Sequence, residues 1–343
     1  MPDIESVLVA GRGPAACAVI AACGRLDVKA VAVHSEADRG ARHVRLADDA
    51  VLLGPAPASE SYLAVDRIVE AARRSRVDAV LPVPPALAGN AMLAGAVLAG
   101  DLRWVGPPPE VLERLGGDGV EPASERGFLA WVTDDGPQLV TAVQRDRAAG
   151  IARVSWTPAR PVQLPVAVRR LGEVGWRGLV TVGVDPEGEL AEVAAGFSLD
   201  VAVLERANGV DAVDLALRSA GRRRSRPTGA RPTPRSAVAV QLRSTLPPGT
   251  SGRVVGLLPS VPRPDERDGA EVVAVHGYDR GDRLDGWYDA LLATVSAGGP
   301  DVATAARAAR GLLDGLPETG VPHDGAEVCA VVGRLADGAA PAG

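Results

Sequence analysis

The stretch VLVAGRGPAACAVIAACGRLDVKAVAV, residues 7–33, decides the fold of the first part of the chain. An apolar run ends at Ala10, the turn Gly11-Arg12-Gly13 follows, and a helical run then leads to a second apolar run that begins at Lys29. A strand, a helix and a second strand in this order predict two parallel strands joined by a crossover helix. Residues 1–116 are therefore predicted to form an α/β domain. The pattern continues with predicted strands at 50–53, 79–82 and 103–105 and predicted helices at 65–75, 90–99 and 110–115.

The remainder of the chain mixes hairpin and helix signals. The turn sequences DDGP at 134–137 and DPEG at 185–188 each lie between two apolar runs, which predicts two antiparallel hairpins. Residues 221–235 are rich in Arg, Pro and Thr without apolar periodicity, which is typical of a flexible link. A phosphate contact by this basic segment is the less favoured interpretation, since an exposed loop is the commoner role. The predicted domains are therefore 117–222, a linker at 223–236, and 237–336.

The same patterns predict the elements of these later domains. Strands are predicted at 237–243, 252–258 and 271–276. The last residues are expected to be frayed. Helices are predicted at 165–174, 209–220, 287–296 and 301–313.

Composition limits the class of protein. The chain has 37 Lys and Arg against 43 Asp and Glu, a net charge of −6, so binding to nucleic acid is not expected. The longest apolar run, 86–100, is too short and too rich in glycine to span a membrane, and no charged-then-apolar leader is recognisable. A cytoplasmic location is the resulting expectation. Lys29 is the only lysine, which matters for any site that needs a lysine ammonium group.

Several stretches together resemble one protein family. Residues 7–63, continued by the motif VGPPP at 105–109, are similar to the opening of biotin carboxylases, which are ATP-grasp ligases. The resemblance implies an α/β fold with a Rossmann-like pre-ATP-grasp domain, a truncated ATP-grasp α+β core and a small C-terminal biotin-carboxylase-type α+β domain. The weaker similarities, to the ATP-grasp core and the C-terminal domain, are at 175–178, 185–188, 209–215, 252–254 and 287–293.

One part of the family pattern has no counterpart in this chain. In biotin carboxylases a Gly-Asp-Lys sequence leads into a mobile lid subdomain with a glycine-rich loop. Here Gly117-Asp118-Gly119 stands at that position, and from Phe128 the sequence resembles the hairpin that follows the lid. A subdomain of roughly 70 residues, near the lower limit for an independent unit, is therefore expected to be absent.

The family reaction joins bicarbonate to the γ-phosphoryl group of ATP and passes the carboxyl group to biotin. The resemblance therefore implies ATP, Mg²⁺ and biotin as cofactors, with cations on the triphosphate and carboxylates on the metal. Gly119 stands in place of a phosphate-contacting lysine, and Ala194 and Gly196 replace an asparagine and an arginine of the site. Residues 272–276 lack the arginine that stabilises the biotin enolate in the family. Because the loss of one such group typically lowers the rate by roughly 10²–10³, ordinary catalysis is not expected.

The remaining site positions hold three charged remnants. Thr181 replaces one metal-binding glutamate of the family, whereas Glu192 keeps the other. Asp200 is the acidic residue left of a bicarbonate-contacting Gln-Val-Glu segment, and Arg153 stands where a lysine or its neighbour is expected. Since a single carboxylate holds Mg²⁺ poorly, we expect no working ATP, Mg²⁺ or biotin site.

The leading hypothesis is a catalytically inactive, biotin-carboxylase-like scaffold or regulator of an acyl-CoA carboxylase. Its partners would be a carboxyltransferase and a biotin carboxyl carrier. Because members of the family often dimerise, the resemblance also implies a homodimer. A divergent biotin carboxylase that borrows the missing groups from a partner is the enzyme alternative. A small-molecule-binding module would use the cleft beside Gly11, Arg12 and Gly13, at the carboxyl ends of the parallel strands. A gene remnant without function is the remaining alternative.

Overall fold

The computed structural model describes residues 4–115, 121–160, 162–221, 230–231, 233–247, 249–257, 263–265, 269–288 and 290–338. The chain forms two compact units. Unit 1 comprises residues 1–140, 163–198 and 211–228, and unit 2 comprises residues 141–162, 199–210 and 229–343. The predicted boundary at 116/117 and most of the predicted linker, 223–229 and 232, lie outside the described residues, so the domain boundaries stay predictions.

Unit 1 opens with a parallel five-stranded sheet in the order β3-β2-β1-β4-β5. Its central strand β1 (Ser6–Ala10) is an unbroken apolar run because helices cover both faces of such a sheet, and Val7, Leu8 and Val9 are fully buried. The α/β organisation predicted from residues 7–33 is therefore confirmed. The other elements are β2 (Lys29–Ser35), β3 (Asp49–Gly54), β4 (Ala79–Pro82), β5 (Arg103–Trp104), α1 (Gly13–Arg25), α2 (Arg42–Leu46), α3 (Val65–Ser75), α4 (Pro85–Ala88), α5 (Ala91–Ala99) and α6 (Pro109–Leu115).

The rest of unit 1 is antiparallel. Strands β6 (Arg126–Thr133), β9 (Gly178–Val184) and β10 (Leu190–Ala195) lie in the order β10-β9-β6, with the beginning of β7 (Gly136–Ala148) beside β6. The two hairpin turns predicted at 134–137 and 185–188 are found where expected. Helices α7 (Val166–Glu173) and α9 (Ala212–Ala220) complete this part of the unit.

Unit 2 is an antiparallel sheet with helices on both faces. Alternate residues of its strand β11 (Ser236–Arg243) point in opposite directions: Ala237 and Ala239 pack with α8 (Leu199–Asn208). Val238 and Val240 pack with α10 (Val302–Asp314) and α11 (Gly325–Ala336). The strand order is β7-β8-β11-β16-β14-β13, and β12 and β15 form a separate pair. The remaining strands are β8 (Ile151–Thr157), β12 (Ser251–Arg253), β13 (Arg263–Asp265), β14 (Ala270–His276), β15 (Arg283–Asp285) and β16 (Leu291–Gly299).

The predicted helix at 287–296 is wrong, because Leu291–Gly299 is strand β16, paired with β11 on one side and β14 on the other. A central strand is buried on both faces, so its apolar run lacks the alternation that marks a strand. Trp287, Leu291 and Val295 recur every four residues and so imitate a helical spacing. The predicted strand at 252–258 shortens to Ser251–Arg253 within the described residues. Helix α11 was not predicted, although its buried Val328, Val331, Val332 and Leu335 have helical spacing. Residues 339–343, at the end that was expected to be frayed, lie outside the described residues.

None of the helices in the described part of the chain combines the length and apolarity that crossing a bilayer requires.

Candidate functional site

The turn Gly11-Arg12-Gly13 joins β1 to α1 at the carboxyl end of the parallel sheet. Arg12 makes a two-pronged contact with Asp38, with Nε 2.7 Å from Oδ2 and Nη2 3.1 Å from Oδ1. Tyr62 donates from its hydroxyl to the same Oδ2 at 2.6 Å. Burial by itself would raise the pKa of Asp38, but the Arg12 guanidinium outweighs it and holds that pKa below its ordinary value. Arg12 is thus paired with a buried carboxylate.

The glycines of this turn have packing reasons of their own. A Cβ added to Gly11 would lie 2.7 Å from Cβ of Val83, so the residue after β4 fills the space beside the turn. Gly13 has a φ of +66°, which glycine adopts without strain. Both glycines are therefore required by the turn itself, whether or not a ligand binds there.

A buried histidine lies in the same part of unit 1. His43 is 1% exposed and donates from Nε2 to the carbonyl oxygen of Val33 at 3.2 Å. Its Nδ1 is buried without a hydrogen-bond partner among the described residues. Burial lowers the pKa of His43 to about 4, although the nearby Asp38 opposes the shift. The imidazole is therefore neutral at pH 7.

Glu192, the predicted metal-ligand remnant, anchors a backbone segment. It lies on β10 opposite Gly183 of β9. Its Oε2 accepts hydrogen bonds from the amide of Ala123 at 2.8 Å and from the amide and hydroxyl of Ser124, both at 3.1 Å. These donors belong to the short connection that enters β6, at the place where the family has its lid. All three donors converge on Oε2, so this oxygen of the exposed carboxylate is engaged by the segment before β6.

Thr181, at the position predicted to replace the other metal glutamate, is buried and bonded to a second hydroxyl group. Thr181 is 1% exposed on β9, and its hydroxyl shares a hydrogen bond of 2.8 Å with the hydroxyl of Ser198. Its strand partner on β10 is Ala194. No carboxylate therefore faces Glu192 from these positions.

Asp200 is the centre of a buried network in unit 2. It lies in the first turn of α8 and is 1% exposed. Arg145 of β7 donates to its Oδ2 from Nε at 3.0 Å and from Nη2 at 2.7 Å. Ser155 of β8 donates to its Oδ1 at 2.6 Å. The carboxylate joins one helix to two strands and is enclosed by its donors.

Arg153, predicted as a phosphate-contacting cation, has a carboxylate partner. It forms an ion pair with Asp324, whose side chain is 2% exposed and lies just before α11. Asp324 also accepts the backbone amide of Arg243 at 2.8 Å through Oδ1. Burial, followed by the nearby Arg243, lowers the pKa of Arg153.

Four residues of these contacts were not predicted from the sequence. Ser124, Arg145, Ser155 and Asp324 lie between 45 and 171 positions from the residues they bind, a separation that leaves no local pattern. The one available signal in the sequence is Asp200, a charged residue between apolar residues, because such a residue needs a partner when it is buried.

The carboxylates present do not fit a magnesium centre. Within the described residues, no three His, Cys, Asp or Glu side chains gather so that they could hold a metal ion. Mg²⁺ is usually held by one or two carboxylates that share it with substrate phosphates. Glu192 and Asp200 instead accept three hydrogen bonds each from the protein. No step through ATP, Mg²⁺ or biotin therefore follows from these residues.

Comparison with known proteins confirms the resemblance to biotin carboxylases over part of the chain. Residues 3–112 match the family described as biotin carboxylase, N-terminal domain. The biotin carboxylase of Allochromatium vinosum is 36% identical over 224 residues, which cover 59% of this chain and 45% of that protein. The chain thus spans less than half of that relative.

Two solved structures share the fold. The urea carboxylase of Kluyveromyces lactis matches with a TM-score of 0.79 and 20% identity, over 97% of this chain and 31% of its own. A single-chain, multi-domain long-chain acyl-CoA carboxylase matches with a TM-score of 0.77 and 24% identity, over 97% of this chain and 39% of its own. Together these matches establish a mixed α/β fold, with a parallel and an antiparallel sheet, like that of carboxylases.

Proposed function

We propose that this chain is a biotin-carboxylase-like protein that does not carboxylate biotin and that acts as a scaffold or regulator of an acyl-CoA carboxylase. The observation that carries the proposal is the engagement of the remaining acidic residues. Glu192 holds Ser124 and the amide before it, and Asp200 holds Arg145 and Ser155. Carboxylates in these positions serve the fold.

Metal binding at either carboxylate would compete with these contacts. Removing one partner from a buried ion pair destabilises a protein by about 3–5 kcal/mol, because the other charge is left buried and uncompensated. A metal ion on Asp200 would have to displace Arg145 at that expense. At Glu192 it would have to release the segment that enters β6.

The lid offers a second argument. Helix α6 ends at Leu115 and β6 begins at Arg126, which leaves only residues 116–125 to connect them. A lid that excludes water and protects a reactive intermediate needs a folded subdomain, and such units have at least about 50 residues. The chain thus lacks room for the part that would protect carboxyphosphate.

The proposed partners follow from the acyl-CoA carboxylase among the structural relatives. That protein carries its domains in a single chain. We propose that the present chain docks instead with separate carboxylase components, a carboxyltransferase or a biotin carboxyl carrier, in the cytoplasm. Retention of the fold without the reacting residues favours a docking role over catalysis, since fold and site are separable.

The enzymatic half of the proposal is tested with the purified full chain. Bicarbonate-dependent ATP hydrolysis and carboxylation of free biotin are measured beside the Allochromatium vinosum biotin carboxylase as a positive control. We expect no turnover above the rate without protein and no heat of Mg²⁺–ATP binding by calorimetry. Turnover that requires bicarbonate and is lost in Glu192→Gln would establish a divergent carboxylase instead.

The scaffold half is tested separately by co-purification of the chain with a carboxyltransferase and a biotin carboxyl carrier, followed by an assay of the assembled carboxylase. We expect a stable complex or a changed carboxylase rate. If neither component binds and the rate stays constant, the scaffold role is wrong even when the chain is inactive.

A further inference from the structure

Three arginines of unit 2 converge on one glutamate. Nη2 of Arg231 lies 2.6 Å from Oε1 of Glu271, and Nη1 of Arg235 lies 3.5 Å from the same oxygen. Nη1 of Arg206 lies 3.7 Å from Oε2. Among the described side chains of this cluster, three arginines face one carboxylate, in a chain whose net charge is −6. All four side chains are partly exposed, so a ligand could reach them from solvent.

The backbone, rather than the glutamate, fixes these arginines. Arg206 lies in the last turn of α8, whose terminal carbonyl groups need partners. The amide of Arg231 donates to the carbonyl of Asn208 at 2.7 Å, and the amide of Arg235 donates to that of Ala207 at 2.9 Å. Nη1 of Arg231 donates to the carbonyl of Arg206 at 2.7 Å. The hydrogen bonds that cap the C-terminal end of α8 therefore bring the three arginines together.

The donors of the cluster are not all used. Nε of Arg206 is buried and has no hydrogen-bond partner among the described residues. Nη1 of the same arginine lies 3.7 Å from Oε2 of Glu271, which is too long for a hydrogen bond. Because buried donors are rarely left unpaired, an acceptor is missing beside Arg206. An anion with several oxygens would supply it and would add negative charge beside the three arginines.

We propose that Arg206, Arg231 and Arg235 form a binding site for the dianionic phosphate group of a small molecule. The planar fork of arginine matches phosphate oxygens in pairs, and charge-assisted hydrogen bonds are the strong ones. Glu271 separates the three like charges when the site is empty and competes with the phosphate for them. The site is independent of the proposed loss of carboxylase activity.

The test uses the full chain and inorganic phosphate, at constant ionic strength with chloride as the reference anion. Calorimetry gives the Kd and thermal unfolding gives the shift in Tm. We expect phosphate to bind and to raise the Tm of the wild-type protein. Arg206→Gln and Arg235→Gln should each weaken binding by roughly tenfold or more, since each removes a charge-assisted hydrogen bond. Glycerol phosphate in a second arm separates recognition of a phosphate ester from that of the free ion.

Glu271→Gln discriminates best between a binding site and a purely structural cluster. In a binding site it should strengthen phosphate binding, whereas in a purely structural cluster it should not. Removing the competing carboxylate should tighten phosphate binding by several-fold while lowering stability in phosphate-free buffer. Arg170→Gln is the matched control, since Arg170 forms an exposed pair with Glu189 in unit 1 and should leave phosphate binding unchanged. Arg235→Lys keeps the charge and serves if a glutamine variant fails to fold.

Three outcomes would overturn the site. The first is an absence of phosphate binding to the wild-type chain. The second is equal binding by the wild type and the Arg206 and Arg235 variants, which would mean an adventitious ion only. The third is unchanged or weaker binding by Glu271→Gln, which would show that the carboxylate does not compete for the guanidinium groups.

Discussion

Replacing Asp200 with asparagine tests whether the acidic remnant of unit 2 has become part of the core. The substitution preserves the shape of the side chain and removes its charge. Arg145, with a side chain 2% exposed, then loses the charged acceptor of two of its hydrogen bonds. Breaking a buried pair in this way typically lowers the free energy of unfolding by about 3–5 kcal/mol. Ser155 loses a charged acceptor at 2.6 Å as well, which acts in the same direction.

Urea unfolding followed by circular dichroism measures this change. With a slope of about 2 kcal/mol per M for unit 2, the midpoint of its transition should fall by about 1.5–2.5 M. The double variant Asp200→Leu with Arg145→Met should recover most of the loss, because an apolar pair of similar volume is often as stable as a buried ion pair. Glu189→Gln breaks the exposed pair with Arg170 and should change stability by less than about 1 kcal/mol.

If Asp200→Asn lowered the free energy of unfolding by less than about 1 kcal/mol, the reasoning would be refuted. Removing the charge of a buried carboxylate that is enclosed by its donors should have a larger effect on stability. Such a small loss would also free Asp200 for chemistry and weaken the proposal that the chain is inactive. Recovery in the double variant separates the effect of an orphaned charge from a general intolerance of α8 to substitution.

Three further predictions concern unit 1. Glu192→Ala should lower the free energy of unfolding by about 1 kcal/mol and speed hydrogen exchange at the amides of residues 123 and 124. Glu192→Gln keeps an acceptor and should have a smaller effect. Equal exchange rates in the wild type and both variants would contradict a role of Glu192 in holding this segment. Gly11→Ala should lower the free energy of unfolding by about 1–3 kcal/mol, measured with urea, because the added Cβ meets Cβ of Val83. Val83→Gly removes that Cβ, so the loss in the double variant should be smaller than the sum of the two single losses; strict additivity would contradict the contact. The pKa of His43, about 4, lies below its ordinary value, so the unfolded chain binds the proton first as pH falls. Stability should therefore drop between pH 6.5 and 4, and His43→Gln should abolish that component; the same drop in both proteins would count against it.

The elements predicted well are those whose signal is local. Helix α3 begins and ends as predicted because Ile68, Val69 and Ala72 form one apolar face with polar residues around it. Strand β16 was misread because a strand buried on both faces carries no alternation. Helix α8 was missed for a related reason: its buried Asp200 interrupts the apolar pattern, and the partner that makes the burial possible, Arg145, lies 55 positions away.

The candidate site divides in the same way. The resemblance to biotin carboxylases led to the prediction that Glu192 and Asp200 are remnants of a site. Their contacts in the structure depend on segments that the fold brings together, so no spacing in the sequence could reveal them.

The connection that enters β6 packs against Gly183 of β9. A Cβ on Gly183 would lie 2.8 Å from Oγ of Ser124 and 2.9 Å from Cβ of Pro122. No side chain, and hence no carboxylate, fits at that point of β9 while the connection takes this path. Glu192, directly opposite, then has the connection rather than a metal ion as its neighbour, and it binds Ser124. The path of this connection therefore leaves no room for a side chain at Gly183 and gives Glu192 a structural partner.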